Sequence, residues 1–274
     1  MTMTKENPNY KLGIALSGGG AKGFAHLGVL QALNERGLYP EIVAGTSAGA
    51  FAGVFYADGR EPREIISFFK ETKFKEFAQF TMPKGGFFKT AGFESFLKKH
   101  LRARKFENLK IPLRVITTDI EHGTSHVFTH GELIPTIIAS CSVPIIFTPR
   151  EINSHYYVDG GLFKNFPVST IRKDCSRIVG VNVSPITAME YKPSIKYIIE
   201  RSFHYMSGSN TLLDRNLCDY LIESAGLSKY SMFDLEHVDE IYQAGYDLAT
   251  AYLDENSKKL VKDFAGSYLD RIKI

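Results

Sequence analysis

The sequence predicts an α/β chain, a three-layer α/β/α sandwich around a mainly parallel sheet. Three observations carry that expectation. Strand-like and helix-like patterns alternate along the chain. The run Arg177–Val183 (RIVGVNV) is almost continuously apolar, as a strand covered on both faces must be. Two small-residue loops, at 17–23 and 45–49, each follow a strand-like run and open a helical one.

The elements follow in order. Residues 1–9 are polar and read as a loose tail, with a single domain expected over 10–265. Leu12–Leu16 is strand-like. Phe24–Arg36 carries Phe24, Leu27, Leu30 and Leu33 near helical spacing, and Gly37 stops it. Glu41–Ala44 predicts a second strand and Ala48–Ala57 a small-residue helix. Leu113–Asp119 is β-branched, with Ser125–Thr129 as its expected pair. Leu133–Ser140 is helical and must end before Pro144. Glu151–Ile152 and His155–Val158 flank Asn153-Ser154 and read as a hairpin. Ile195–Leu213 and Val238–Leu260 predict long helices. No Pro/Gly/Ser-rich linker divides the 274 residues.

Composition narrows the function. With 44% hydrophobic and 23% charged residues the chain has the means to bury a core, so general disorder is excluded. A net charge of +3 argues against a nucleic-acid binder. Cys141, Cys175 and Cys218 form no metal-type pairs and predict reduced thiols in a cytoplasmic protein. No 18-residue apolar run and no secretory signal is visible, and no metal-ligand cluster stands out, so neither metal nor cofactor is expected.

Gly45-Thr46-Ser47-Ala48-Gly49 is a G-x-S-x-G between a strand and a helix. A nucleophile on so sharp a turn needs a strained backbone at the serine, and therefore minimal neighbours: Gly45 and Gly49 of the elbow, then Ala44, Ala48 and Ala50. The helix behind Ser47 points its N-terminus at developing negative charge. Ser17-Gly18-Gly19-Gly20-Ala21-Lys22-Gly23 frees consecutive backbone N–H groups to converge on an anion. That anion is either the oxyanion of acyl transfer or a pyrophosphate, since Gly18, Gly20 and Gly23 also satisfy G-x-G-x-x-G. The dinucleotide reading lacks its acidic residue after the second strand, where Ser47 stands instead. Val158-Asp159-Gly160-Gly161 places a carboxylate before two glycines, which also describes an ordinary turn. None of the eight histidines lies in a catalytic motif, and His26, inside the first helix, reads as packed.

Together these residues resemble the patatin-like phospholipase family, whose pattern is a G-G-G-x-[RK]-G loop, a G-x-S-x-G elbow and a downstream D-G-G. The stretch Ala139-Ser140-Cys141-Ser142-Val143-Pro144 is similar to its A-S-x-A-x-P block, with Ser142 where alanine is usual. The resemblance covers about residues 10–183. It implies a serine hydrolase of lipid acyl esters, phospholipase A or lysophospholipase, working through a Ser47–Asp159 dyad. It also implies an oxyanion hole from Gly18, Gly19 and Gly20, and supporting positions at Lys22, Gly23, Gly160 and Gly161. A carboxylate is a weak base unless an apolar, water-poor site raises its pKa. The rival readings are a small-ester esterase or acyltransferase with the same dyad, and a nucleotide- or anion-binding protein built on the glycine loop.

Substrate access has its own signal. Eleven lysines and arginines against four acids give residues 70–110 a charge of +7, and nine phenylalanines fall between Phe68 and Phe96. Phe93, Phe96, Leu97 and Leu101 share a helical face. The segment 63–110 therefore reads either as a basic cap that meets an anionic membrane peripherally, or as a core-packing helix pair with a solvated basic face. Nothing in the sequence addresses the oligomeric state.

Overall fold

Tyr10–Leu16 forms β1, the strand around which the sheet is built. Its residues alternate between two cores: Leu12, Ile14 and Leu16 enter one, and Ala15 enters the other with Ile42 and Ala44. A strand apolar on both faces needs cover on both, which is the condition for three layers. The computed structural model describes residues 8–71 and 90–264. The chain continues through α1 (Phe24–Glu35), β2 (Ile42–Thr46), α2 (Ala48–Ala57), α3 (Pro62–Glu71), α4 (Ala91–His100), β3 (Leu113–Asp119), β4 (Thr124–Phe128) and α5 (Leu133–Ser140). Then come β5 (Arg150–Ile152), β6 (His155–Asp159), α6 (Val168–Ile171), β7 (Cys175–Asn182), α7 (Ile195–Ser209), α8 (Leu212–Arg215), β8 (Tyr220–Glu223), α9 (Val238–Glu255) and α10 (Ser257–Asp263).

The sheet order is β5-β6-β3-β2-β1-β7-β8, with β4 on β3. β3, β2, β1, β7 and β8 are parallel, while β4 and β6 run antiparallel to β3. The chain leaves β1 toward β2 and β3, and later returns to add β7 and β8 on its other side. The carboxyl ends of β1 and β7 therefore flank a topological switch point, the usual crevice for a ligand in such sheets. The small-residue loop after β1 emerges there, and the one after β2 emerges beside it.

Several boundaries differ from the sequence reading. The helix expected over Ile195–Leu213 stops at Ser209, because the Asn210 amide turns back to the carbonyls of Gly161 and Leu162. Val238–Leu260 is broken at Asn256, which separates α9 from α10. β8 is an added edge strand that the pattern did not announce. Asn153 and Ser154 both have positive φ, as a tight hairpin turn of this handedness requires.

Phe69 of α3 and Phe96 of α4 are buried, and their rings meet Phe51 of α2 at 5.8 and 6.0 Å. Lys98 and Lys99 stay exposed. The described ends of the basic segment are thus part of the core, with a solvated charged face. Residues 72–89, the middle of the expected cap, and residues 1–7 of the expected tail lie outside the described residues.

Candidate active site

Ser47 sits between β2 and α2 with φ 52° and ψ −120°. A side-chain-bearing residue adopts this conformation only under constraint, at a cost of roughly 1–3 kcal/mol. The constraint is visible on both sides. A Cβ on Gly49 would lie 2.1 Å from the Leu16 carbonyl oxygen, and one on Gly45 would lie 2.6 Å from Gly49. The elbow is pressed against the end of β1 and leaves no room for larger residues. The Ser47 N–H donates to Ser140 Oγ at 2.9 Å, and Ser140 Oγ donates to the Ile116 carbonyl of β3 at 2.6 Å.

Asp159 ends β6 and is fully buried. Its N–H donates to the Ser142 carbonyl at 2.9 Å, and its own carbonyl accepts from Thr118 Oγ1 at 3.0 Å. The stretch 139–144 therefore fixes both residues, Ser47 through Ser140 and Asp159 through Ser142. The Asp159 carboxyl accepts the Gly161 N–H on Oδ1 at 2.7 Å. The Ser47 hydroxyl interacts with the same carboxyl, yet among the described residues Oδ2 has no partner in full hydrogen-bond geometry. Burial pushes the Asp159 pKa up to about 7, with the Ser47 hydroxyl and the Gly161 N–H pulling the other way.

The glycine loop follows β1. The Gly18 N–H donates to the Asn165 carbonyl at 3.0 Å. Of the three glycines expected to face an oxyanion, Gly18 thus has its N–H engaged within the fold in this structure. Gly19 and Gly20, at the start of a 3₁₀ turn, are half-exposed, and no acceptor holds their N–H groups among the described residues. Gly23 packs against Ala48, where a Cβ would come within 2.6 Å. Gly160 lies against the Ile116 carbonyl, at a distance no Cβ would tolerate.

Lys22 is buried, and its Nζ donates to Ser184 Oγ at 3.0 Å. Ser184 Oγ is 3.1 Å from His204 Nδ1, and His204 Nε2 is buried without a partner among the described residues. Burial first, then the nearby Arg201, brings the Lys22 pKa down to about 8. Burial lowers His204 to about 4, so it stays neutral. Ser184 and His204 escaped the sequence reading because they stand more than 160 residues from Lys22 and carry no motif. His26 is packed as expected: it is fully buried, bonded to the Ser17 carbonyl at 2.8 Å, with a pKa of about 4.

Ser47, Gly18, Gly19, Gly20 and Lys22 open onto one cavity of about 410 Å³. Phe24, Phe51, Phe69, Phe93 and Phe147 form an aromatic wall, and Lys22, Ser184 and His204 a polar one. A volume of this size holds a small molecule or an acyl chain.

Strand order, elbow and buried carboxyl define an α/β fold that presents a constrained serine over an apolar cavity. The chain belongs to the patatin-like phospholipase family, whose family model matches residues 14–171. It is 33% identical over 178 residues to patatin-like phospholipase domain-containing protein 7 of Rattus norvegicus, covering 61% of this chain and 13% of that protein. It is 26% identical over 274 residues to lysophospholipase NTE1 of Saccharomyces cerevisiae, covering 88% of this chain and 16% of that protein. The chain thus spans less than a fifth of the length of these relatives. Its fold is similar to VipD from Legionella pneumophila, with a TM-score of 0.57 at 15% identity over 90% of this chain and 67% of that one. Among the described residues no helix is long and apolar enough to cross a membrane.

Proposed function

We propose that this chain hydrolyses acyl esters of lipids, as a phospholipase A or lysophospholipase, through Ser47 and Asp159. The observation that carries the reading is the constrained Ser47 in contact with a buried carboxyl whose pKa lies at about 7. Such a carboxylate is basic enough to serve near neutral pH. Ser47 Oγ adds to the ester carbonyl carbon as its proton passes to Asp159. The N–H groups of Gly19 and Gly20 take the oxyanion. The ester C–O bond then breaks, and Asp159 returns the proton to the departing alkoxide. Water repeats the sequence: its proton goes to Asp159, its oxygen adds to the acyl carbon, and Ser47 leaves with that proton.

The acyl chain occupies the aromatic wall and the polar head faces Lys22. The names of the phospholipase relatives support the substrate class. We further propose that the basic segment between residues 70 and 110 approaches an anionic lipid surface.

A fluorophosphonate probe combined with a panel of lipid and p-nitrophenyl esters tests the reading. Labelling should occur at Ser47 and vanish in Ser47→Ala, and turnover should increase from acetyl to long acyl chains. Labelling that persists in Ser47→Ala removes the assigned nucleophile. A preference for acetyl esters would favour a small-ester esterase instead.

A further inference from the structure

Away from the cavity, the loop that joins β3 to β4 and the start of β6 bring together side chains the acyl-transfer reading does not use. Ligand atoms of Asp119, His122 and His155 all lie within 4.8 Å of one another. Asp119 ends β3, and its Oδ1 accepts the N–H groups of Glu121 and His122, both at 3.0 Å. That fixes the carboxyl and turns Oδ2 toward His122 Nδ1, 2.9 Å away. His155 comes from a separate part of the chain. β3 pairs antiparallel with β6, Asp119 opposite Tyr157, so the start of β6 lies beside the turn that holds Glu121 and His122. His155 Nδ1 is 3.8 Å from Glu121 Oε2. His122 and His155 are exposed and open to solvent, and Asp119 is buried.

We propose that Asp119, His122 and His155 form a site for a divalent transition-metal ion of the zinc type, with Glu121 or water completing the shell. The donor set is two imidazoles and a carboxylate, which suits zinc and its neighbours and not the hard, oxygen-seeking magnesium or calcium. Metal–ligand bonds of about 2.0–2.1 Å put neighbouring donor atoms roughly 3–3.5 Å apart, a spacing that small side-chain rotations reach from the one observed. The hydrogen bonds on Asp119 Oδ1 supply the outer support that orients a ligating carboxylate.

The chain carries its own control. Asp234-Leu-Glu-His237 repeats the pattern of Asp119-Ile-Glu-His122. It folds in the same way: Asp234 Oδ1 accepts the N–H groups of Glu236 and His237 and meets His237 Nδ1 at 2.7 Å. An Asp–His turn is therefore a local motif that needs no ion. What sets the first copy apart is His155, and among the described residues the second copy has no such third ligand. An ion at the first copy would tie the β3–β4 turn to the β5–β6 hairpin. It would lie roughly 13 Å along β6 from Asp159, at about 3.3 Å per residue, and so take no part in the acyl transfer.

Titration calorimetry on the untagged, chelator-dialysed full chain decides the matter. Zinc chloride should bind at one equivalent and more tightly than about 100 μM, with magnesium chloride giving no saturable heat. His155→Ala and His155→Gln should each weaken zinc binding by roughly tenfold or more, as loss of a ligand does. His237→Ala should leave it unchanged. Circular dichroism checks that each variant is folded, which exposed positions favour. The proposal is overturned if the wild type shows no saturable zinc binding in that range. It is equally overturned if both His155 variants bind as the wild type does, since the ion would then sit elsewhere, for instance on a cysteine.

Discussion

A carboxyl group buried without a cation beside it resists ionisation, and Asp159 is in that position. Its pKa is raised from the ordinary 3.8 to about 7. The sign of the linkage follows. The protonated group favours the folded state fully below about pH 3.8, and that contribution is lost as pH rises through about 7. Asp159→Asn keeps the neutral form at every pH. It should melt above the wild type at pH 8, with the gap closing toward pH 4 in differential scanning fluorimetry, and it should have no esterase activity. In the wild type, kcat/KM should climb with pH through an apparent pKa near 7, where the base becomes available. An ascending limb near 4 would assign the proton acceptor elsewhere. At this scale Ser47, Asp159 and the loop glycines were legible, because a strained turn forces small residues to cluster in sequence. The engagement of the Gly18 N–H was not, because its acceptor, the Asn165 carbonyl, belongs to a loop the chain reaches much later.

Among the elements, the end of α5 links Ser47 to Asp159. Ser140 satisfies the Ser47 N–H and caps the Ile116 carbonyl, while the Ser142 carbonyl holds the Asp159 N–H. Ser140→Ala would leave a buried N–H and a buried carbonyl without this partner. We expect a loss of about 1–3 kcal/mol in denaturant unfolding, and a fall in kcat larger than any change in KM. Unchanged kcat with lowered stability would reduce Ser140 to a packing role. The stretch was readable as a motif, yet its task was not, since that depends on β3 lying between β2 and β6 in the sheet, with the end of α5 against all three. The parallel core strands were readable from unbroken apolar runs. β8 was not, because four residues at an edge carry too little pattern. The breaks at Asn210 and Asn256 hang on side-chain hydrogen bonds that helical periodicity does not encode.

For the molecule as a whole, the net charge of +3 conceals a division, +7 in residues 70–110 and −4 elsewhere. Liposome co-sedimentation should show stronger binding to anionic than to neutral vesicles, weakened by salt. Equal binding to both would remove the electrostatic part of the membrane reading. α9 packs by direct backbone contact with α1: a Cβ on Gly28 would meet the Tyr242 carbonyl oxygen at 2.1 Å, and one on Gly245 the Ala25 carbonyl oxygen at 2.2 Å. Its Asp239 meets Lys70 of the basic segment at 2.7 Å. The family pattern matches residues 14–171, and both Ser47 and Asp159 fall inside it. Ser184 and His204, which meet Lys22 across the cavity, fall outside it. On the proposed reading, the groups that would carry the reaction lie inside the family match, and two of the three on the polar wall lie outside it. Transplanting the segment 184–209 from a relative should then change headgroup preference on a phospholipid panel while bond cleavage survives, which would let selectivity drift without touching the cleavage chemistry.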